Sequence, residues 1–279
     1  MQVATRAIVT FVPDDPVYLA QHRILWTCWR ENAGPDTDYI CFGPPAVGAK
    51  LRDGVKFIEH PDRKPEYRGY GFANSLDCLA GPGAKDLERY DHLLKTDTDV
   101  FLTPAFKTWR PAGFTTGQGR YVNDRATRDN LRRVAAEFGL SHRGLHNIGA
   151  TWHGPTAQVL AVGRLMVPLM KYFITVEFNR RHGKWPGWYR GVSSMYASEI
   201  AINHLIDAVR IEPDQLDFPS TSGEPIDGHP HIHCWHTGEL FSKRHFEAGL
   251  YRGLDLGGLD TTIVKAYCLH MAMKEPNVA

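Results

Sequence analysis

Residues 92–104 read HLLKTDTDVFLTP: an apolar run reaches two carboxylates, Asp97 and Asp99, and continues into Val100, Phe101 and Leu102. If a strand passes through the two aspartates, residues two apart point the same way. At the carboxyl edge of a sheet they would lie where open α/β folds bind ligands. Paired hard oxygen ligands suit Mg²⁺ or Mn²⁺, with the remaining positions left to substrate phosphates and water. The bland alternative is an ordinary acidic turn, because D-x-D is common by chance. The apolar flanks favour the ligand reading, since they bury the strand and hold the turn at its edge.

Working outward, the preceding segments alternate between strand and helix patterns. Residues 7–12 (AIVTFV), 38–42 (DYICF) and 55–59 (VKFIE) predict strands, closed by the turn signals PDDP and GPP. Residues 17–32 carry helical spacing through Leu19, Ile24, Leu25 and Trp29, and a further helix is expected near 72–79, ended by GPG. This alternation predicts an α/β fold with a mostly parallel sheet flanked by helices on both faces. After Pro104 the spacing predicts helices at 129–138, 155–178, 196–209 and 261–274. Strands are expected at 146–152 and just after His229, and 211–228 reads as a loop. No linker forces a division, so one domain is expected over 1–279. Its nucleotide-binding half spans about 1–104, and the acceptor half with a C-terminal metal- and phosphate-binding tail about 105–279.

Composition removes several classes of function. The 279 residues hold 32 Lys+Arg against 31 Asp+Glu, for a formal charge of +1, so a strongly electrostatic nucleic-acid or membrane binder is excluded. With 43% hydrophobic residues the chain can bury a substantial core and is not disordered. The 5 cysteines are scattered without a C-x-x-C pair, which fits a reducing compartment better than a disulfide framework. No signal-peptide pattern opens the sequence, and the apolar run 159–178 contains Arg164, Lys171 and Glu177. It reads as a buried helix, so no membrane span and a cytoplasmic setting are expected.

Four of the 14 histidines fall between His229 and His236. Two chemistries compete for them. An H-x-H pair with His236 would build a zinc site of nitrogen ligands. Alternatively one histidine, His236 first and His233 in reserve, completes the site begun by Asp97 and Asp99. Gly238 and Lys243 favour the second: glycine lets a backbone approach phosphate, and lysine supplies a cation for a diphosphate.

Together these pieces resemble the GT-A class of nucleotide-sugar glycosyltransferases, which implies a Rossmann-like sheet. D-x-D at Asp97 and Asp99 matches the metal-binding signature of that class. Residues 146–149 (HNIG) are similar to the N-x-G strand of the retaining glycogenin-like and blood-group-type branches, which makes Asn147 a contact to the donor sugar. Residues 199–203 (EIAIN) are similar to the acidic helix start beneath the reacting carbon, which makes Glu199 a catalytic candidate. His236, Gly238 and Lys243 are similar to the C-terminal H-x-x-G-x-x-K element, with spacing that departs by one residue in each half. The KTDTDVF, HNIG and WPGW segments also look like a less characterised group of D-x-D proteins.

The resemblance implies Mn²⁺ or Mg²⁺, a nucleoside-diphosphate sugar as donor (UDP among the carriers), and a hydroxyl acceptor that is a glycan, a protein or a modified nucleic-acid base. It tilts toward a retaining outcome, while the residues alone leave an inverting role for Glu199 as general base open. Glu199 would equally serve as ordinary helix-terminus charge. The nucleotide base is expected beside Thr10, Phe11 and Val12, with Arg68 on phosphate or ribose. Trp185, Trp188 and Tyr189 in the Pro/Gly loop suit acceptor stacking, or simply pin that loop to the core. Arg125, Arg128, Arg132 and Arg133 would face an acidic acceptor such as DNA only if joined by Arg180 and Arg181; a solvated helix face is the usual meaning. Two further functions compete: a metal-dependent phosphoryl hydrolase, and a non-catalytic sugar-nucleotide-binding protein on the same fold.

Overall fold

The computed structural model describes residues 5–234 and 241–274. Its strands are β1 (Arg6–Phe11), β2 (Thr37–Gly43), β3 (Lys56–Glu59), β4 (His92–Lys95), β5 (Val100–Leu102), β6 (Phe114–Gln118), β7 (Ile148–Pro155), β8 (Val209–Ile211), β9 (Phe218–Pro219) and β10 (His231–His233). Its helices are α1 (Pro16–Asn32), α2 (Pro45–Gly48), α3 (Asn74–Asp77), α4 (Arg125–Glu137), α5 (Thr156–Tyr172), α6 (Ser193–Leu205), α7 (Lys243–Glu247) and α8 (Val264–Met273).

Seven strands form one sheet in the order β3-β2-β1-β4-β7-β6-β8. The first four are parallel, β7 runs antiparallel to both neighbours, and β8 is parallel to β6. Every residue of β1 is buried, as expected of a strand covered on both faces. Alternate β1 side chains feed two apolar cores. Val9 joins Leu79, Leu160, Met166 and Tyr196 on one face, and Ile8 joins Leu25, Tyr39, Phe101 and Leu269 on the other. The expected α/β single domain with a mostly parallel, helix-flanked sheet is what forms.

Local signals account for the main helices. Pro16 opens α1, and Asp15 caps it by accepting from the Val17 N–H at 2.8 Å. Asp124 caps α4 through the Thr127 N–H at 2.7 Å. The helical stretch Thr156–Glu177 is long and apolar enough to cross a bilayer, but half of that window is buried. Val159, Leu160, Met166 and Met170 lie in the core.

The sequence expectation differs most from the structure at the decisive stretch. No strand runs through the aspartates: β4 ends at Lys95, the chain turns through 96–99, and β5 begins a second sheet in the order β5-β10-β9. There β10 pairs antiparallel with β5, with His233 opposite Val100. The change of sheet brings the histidine strand alongside the acidic turn.

Candidate metal and phosphate site

The turn is held from below. Lys95, buried at the end of β4, lies 3.3 Å from Asp97 Oδ1 and donates to the Ala150 carbonyl at 3.1 Å. Thr96 Oγ1 meets His231 Nε2 at 2.9 Å and Thr151 Oγ1 at 3.2 Å. Thr98 donates to Gln21 Oε1 at 2.8 Å on the α1 side. Successive side chains are therefore anchored or free by alternation: Thr96 and Thr98 are buried, while Asp97 and Asp99 are partly open.

Three side chains converge above this floor. Ligand atoms of Asp97, Asp99 and His233 all lie within 4.8 Å of one another. His233 Nε2 is 3.4 Å from Asp99 Oδ1, and Lys243 Nζ is 2.7 Å from Asp99 Oδ2. Burial by itself would raise the Asp99 carboxyl, but His233 and Lys243 outweigh it and hold Asp99 far below its usual range. Burial would likewise depress His233; Asp99 and Asp217 reverse this and raise it well above 6.5. Lys243 also rises, because Asp99 outweighs its desolvation. Asp99 thus faces two cationic side chains, His233 and Lys243, and Asp97 faces Lys95.

A cavity of about 710 Å³ opens on this group. Phe11, Pro13, Tyr18, Lys64 and Phe72 form walls opposite Asp97, Asp99, His233 and Lys243. A side lobe of about 190 Å³ shares Asp97 and is lined by Lys95, Trp152, Met195, Ser194 and Ser198. The main volume lies in the range of about 300–1,000 Å³ usual for small-molecule sites, and aromatic walls with a few charged groups are their common make-up. Two carboxylates and one imidazole form a donor set suited to Mn²⁺ or Mg²⁺, the carboxylates supplying hard oxygens.

The other residues singled out in the sequence fall in different places. Of Thr10, Phe11 and Val12, only Phe11 lines the cavity. Thr10 Oγ1 approaches Tyr39 and Cys41 within the core, and the Val12 N–H donates to the Phe42 carbonyl. Arg68 is exposed and pairs with Asn179, whereas Lys64, from the same segment, reaches the cavity wall. His236 and Gly238 lie outside the described residues. Trp188 stacks on Tyr196 with centroids 4.4 Å apart and donates to Glu177 at 2.8 Å, so it pins its loop to the core. Tyr189 donates its N–H to Tyr196 Oη at 3.3 Å, and Trp185 is exposed. On α4, Arg133 pairs with Glu137 and Glu177, and Arg125 and Arg132 pair with Asp129.

Glu199 and Asn147 come together, and neither lines the cavity. Glu199 is fully buried, its Oε2 accepting from Tyr121 Oη at 2.7 Å and the Asn147 N–H at 2.8 Å. Its Oε1 faces His146 Nδ1 at 2.7 Å and His142 Nε2 at 3.3 Å. Burial would raise this carboxyl, but the hydrogen bonds from His142, His146 and Tyr121 pull it below 4.5. Asn147 has φ 59°, left-handed backbone that cannot continue a strand, so β7 starts at Ile148, two residues later than expected, and runs on to Pro155. Its Oδ1 accepts from the N–H groups of Tyr121 and Val122 at 2.9 and 2.8 Å. Asn203 does similar work, accepting from Arg143 and Leu145 N–H groups, both at 3.1 Å.

His231 and His229 are also committed inside the fold. His231 Nδ1 accepts from the Asp217 N–H at 3.2 Å, and its pKa is depressed by burial to about 4. His229 stacks on Phe218 and bonds the Asp214 carbonyl. Asp217 is the participant that the sequence reading missed. It sits in the 211–228 loop, where an isolated aspartate carries no distinguishing signal.

The fold and the site define an α/β protein with a carboxylate–imidazole–lysine group at the carboxyl edge of a mostly parallel sheet. The chain belongs to the family described as Domain of unknown function (DUF7164), whose profile matches residues 20–277. No curated protein matches it by sequence.

Proposed function

We propose that this protein is a metal-dependent glycosyltransferase of the GT-A kind, moving a sugar from a nucleoside-diphosphate donor to a hydroxyl acceptor. The observation that carries the reading is the convergence of Asp97, Asp99, His233 and Lys243 on one cavity beside the ends of β1 and β4. Ligands of open α/β sheets bind at that edge.

In this reading Asp97, Asp99 and His233 hold the divalent ion. When bound, that ion supplies positive charge to the diphosphate. Lys243 exchanges its Asp99 partner for a phosphate oxygen and adds a second cation. The sugar C1–O bond to the diphosphate breaks with its electron pair leaving on the diphosphate oxygen. A new C1–O bond forms to the acceptor oxygen, whose proton is lost to a base. Phe11, Tyr18 and Phe72 offer apolar faces for the nucleoside and exclude water from the reacting centre. Lys95 and Ser194 offer donors in the side lobe, a volume suited to a sugar ring. Glu199 is given no step here, because all its contacts point into the core.

The test is nucleoside-diphosphate release from a panel of donor sugars with Mn²⁺, comparing wild type with Asp99→Ala. Loss of a metal ligand is expected to cost on the order of 100-fold or more in turnover. Unchanged turnover in Asp99→Ala overturns the reading.

A further inference from the structure

A metal-ligating imidazole must present one nitrogen with a free lone pair, and the partner of the other nitrogen decides which one that is. His233 Nδ1 lies 3.2 Å from Asp217 Oδ1, while its Nε2 faces Asp99. We propose that Asp217 is the positioning residue of the metal site, fixing His233 as the Nδ1–H tautomer with Nε2 aimed at the ion. The inference rests on the metal-dependent reading above and deepens it.

The structure builds a rigid seat for this carboxylate. Thr151 donates to it twice, from Oγ1 to Oδ1 at 2.5 Å and from its backbone N–H to Oδ2 at 3.1 Å. Two glycines leave it room: a Cβ on Gly117 or Gly149 would lie 2.5 or 2.6 Å from Asp217 Oδ2. Gly149 is the glycine of the HNIG segment, and its place in the structure is beneath this carboxylate. The Asp217 backbone sits at φ 59°, a left-handed conformation uncommon for a non-glycine residue. Its N–H donates to His231 Nδ1, so the two neighbouring histidines are oriented by one residue.

Asp217→Asn isolates the effect. Asparagine tolerates the left-handed backbone and fills the same space. The Thr151 backbone N–H cannot rotate, so it selects the amide oxygen for its own side of the seat. The amide NH₂ then faces His233 Nδ1, which must accept, and the proton moves to Nε2, where the ion should bind. Mn²⁺ affinity, read by electron paramagnetic resonance on stripped full-length protein, is expected to weaken about 10- to 100-fold, measured well below the melting temperature of the variant, which falls because the ionised carboxylate also stabilises the fold. His233→Ala should weaken it at least as far, and the double variant should lose little more than His233→Ala alone, because Asp217 acts through His233. Thr151→Val, which frees one carboxylate oxygen, is the milder variant and should give a smaller loss in the same direction. Wild-type Mn²⁺ affinity in Asp217→Asn, or additive losses in the double variant, overturns the positioning role alone. Failure of wild type to bind Mn²⁺ overturns the metal reading beneath it.

Discussion

Two histidine–carboxylate groups occur among the described residues, and one hydrogen position in each sets them apart. Asp97, Asp99 and His233 form one; His142, His146 and Glu199 form the other. Both bring ligand atoms within 4.8 Å. In the second group, His142 Nδ1 accepts from the Gly144 N–H at 3.1 Å. A neutral His142 therefore carries its proton on Nε2, directed at Glu199. That carboxylate is also met by Tyr121, His146 and the Asn147 N–H, so donors surround it and no lone pair of His142 is left for an ion. In the first group Asp217 meets Nδ1 of His233, and Nε2 faces Asp99 beside the cavity, where an ion would take the place of its proton. Proximity is the same in the two, but the first pairs two carboxylates with one imidazole and the second one carboxylate with two, and the outward partner of the imidazole differs. The second group ties the 142–147 segment to α6, and the first opens on the cavity where the proposed ion would sit.

The largest expected effect lies in the second group. Glu199→Ala leaves the Asn147 N–H and the His146 ring donor without their acceptor, at about 1–3 kcal/mol for each stranded group, while the Tyr121 hydroxyl keeps the Ile148 carbonyl at 3.2 Å. Urea unfolding should show a loss of several kcal/mol. Mn²⁺ affinity of the folded fraction should be unchanged; a stable Glu199→Ala protein that has lost metal binding would reverse the comparison.

An acid limb of stability follows from the same carboxylate. The folded pKa of Glu199 lies below its ordinary 4.5, so the unfolded chain binds the proton first as pH falls. Its contribution is therefore complete above the unfolded value and is lost as pH drops through the lower folded value. Asp99 and Asp217 are depressed as well, so their acid limbs overlap with it. Stability measured in steps below pH 5 should fall less steeply in Glu199→Gln than in wild type. An unaltered slope would mean that Glu199 is not the ionised acceptor inferred here.

The smallest effect is expected at His142, whose side chain is only 2% exposed. His142→Gln keeps an amide donor near Glu199 and should cost about 1 kcal/mol, the scale of one net hydrogen bond. A Zn²⁺- or Mn²⁺-dependent rise in melting temperature should be equal in wild type and His142→Gln. If the rise disappears with His142, the second group is the one that holds metal.

Much of the scaffold was legible in short segments. The runs at 7–12 and 38–42 became β1 and β2, because continuous apolar and β-branched residues suit strands buried on both faces. The alternation of His231 and His233 predicts side chains on one face of a strand, and in β10 both approach the same carboxylate, Asp217. Other elements left no such trace. β6 reads FTTGQ, with threonines and a glycine where no element is expected, and it is a strand because β7 and β8 flank it. The helix expected over 72–79 forms as α3 over four residues only. Glu199 was legible as an acidic residue on a helix but not as one turned inward, since its donors come from 121 and 142–147.

The sequence by itself determined the layered α/β scaffold and the acidic turn after an apolar strand, because periodicity and turn chemistry are properties of near neighbours. It also placed a lysine and a histidine strand downstream as partners of opposite charge. Only the tertiary structure decided which histidine meets which carboxylate. Asp217 reaches Thr151 across 66 positions, and Lys243 reaches Asp99 across 144. Such pairings arise when elements far apart in the chain fold onto one sheet edge, and the proton positions that separate the two groups follow from them.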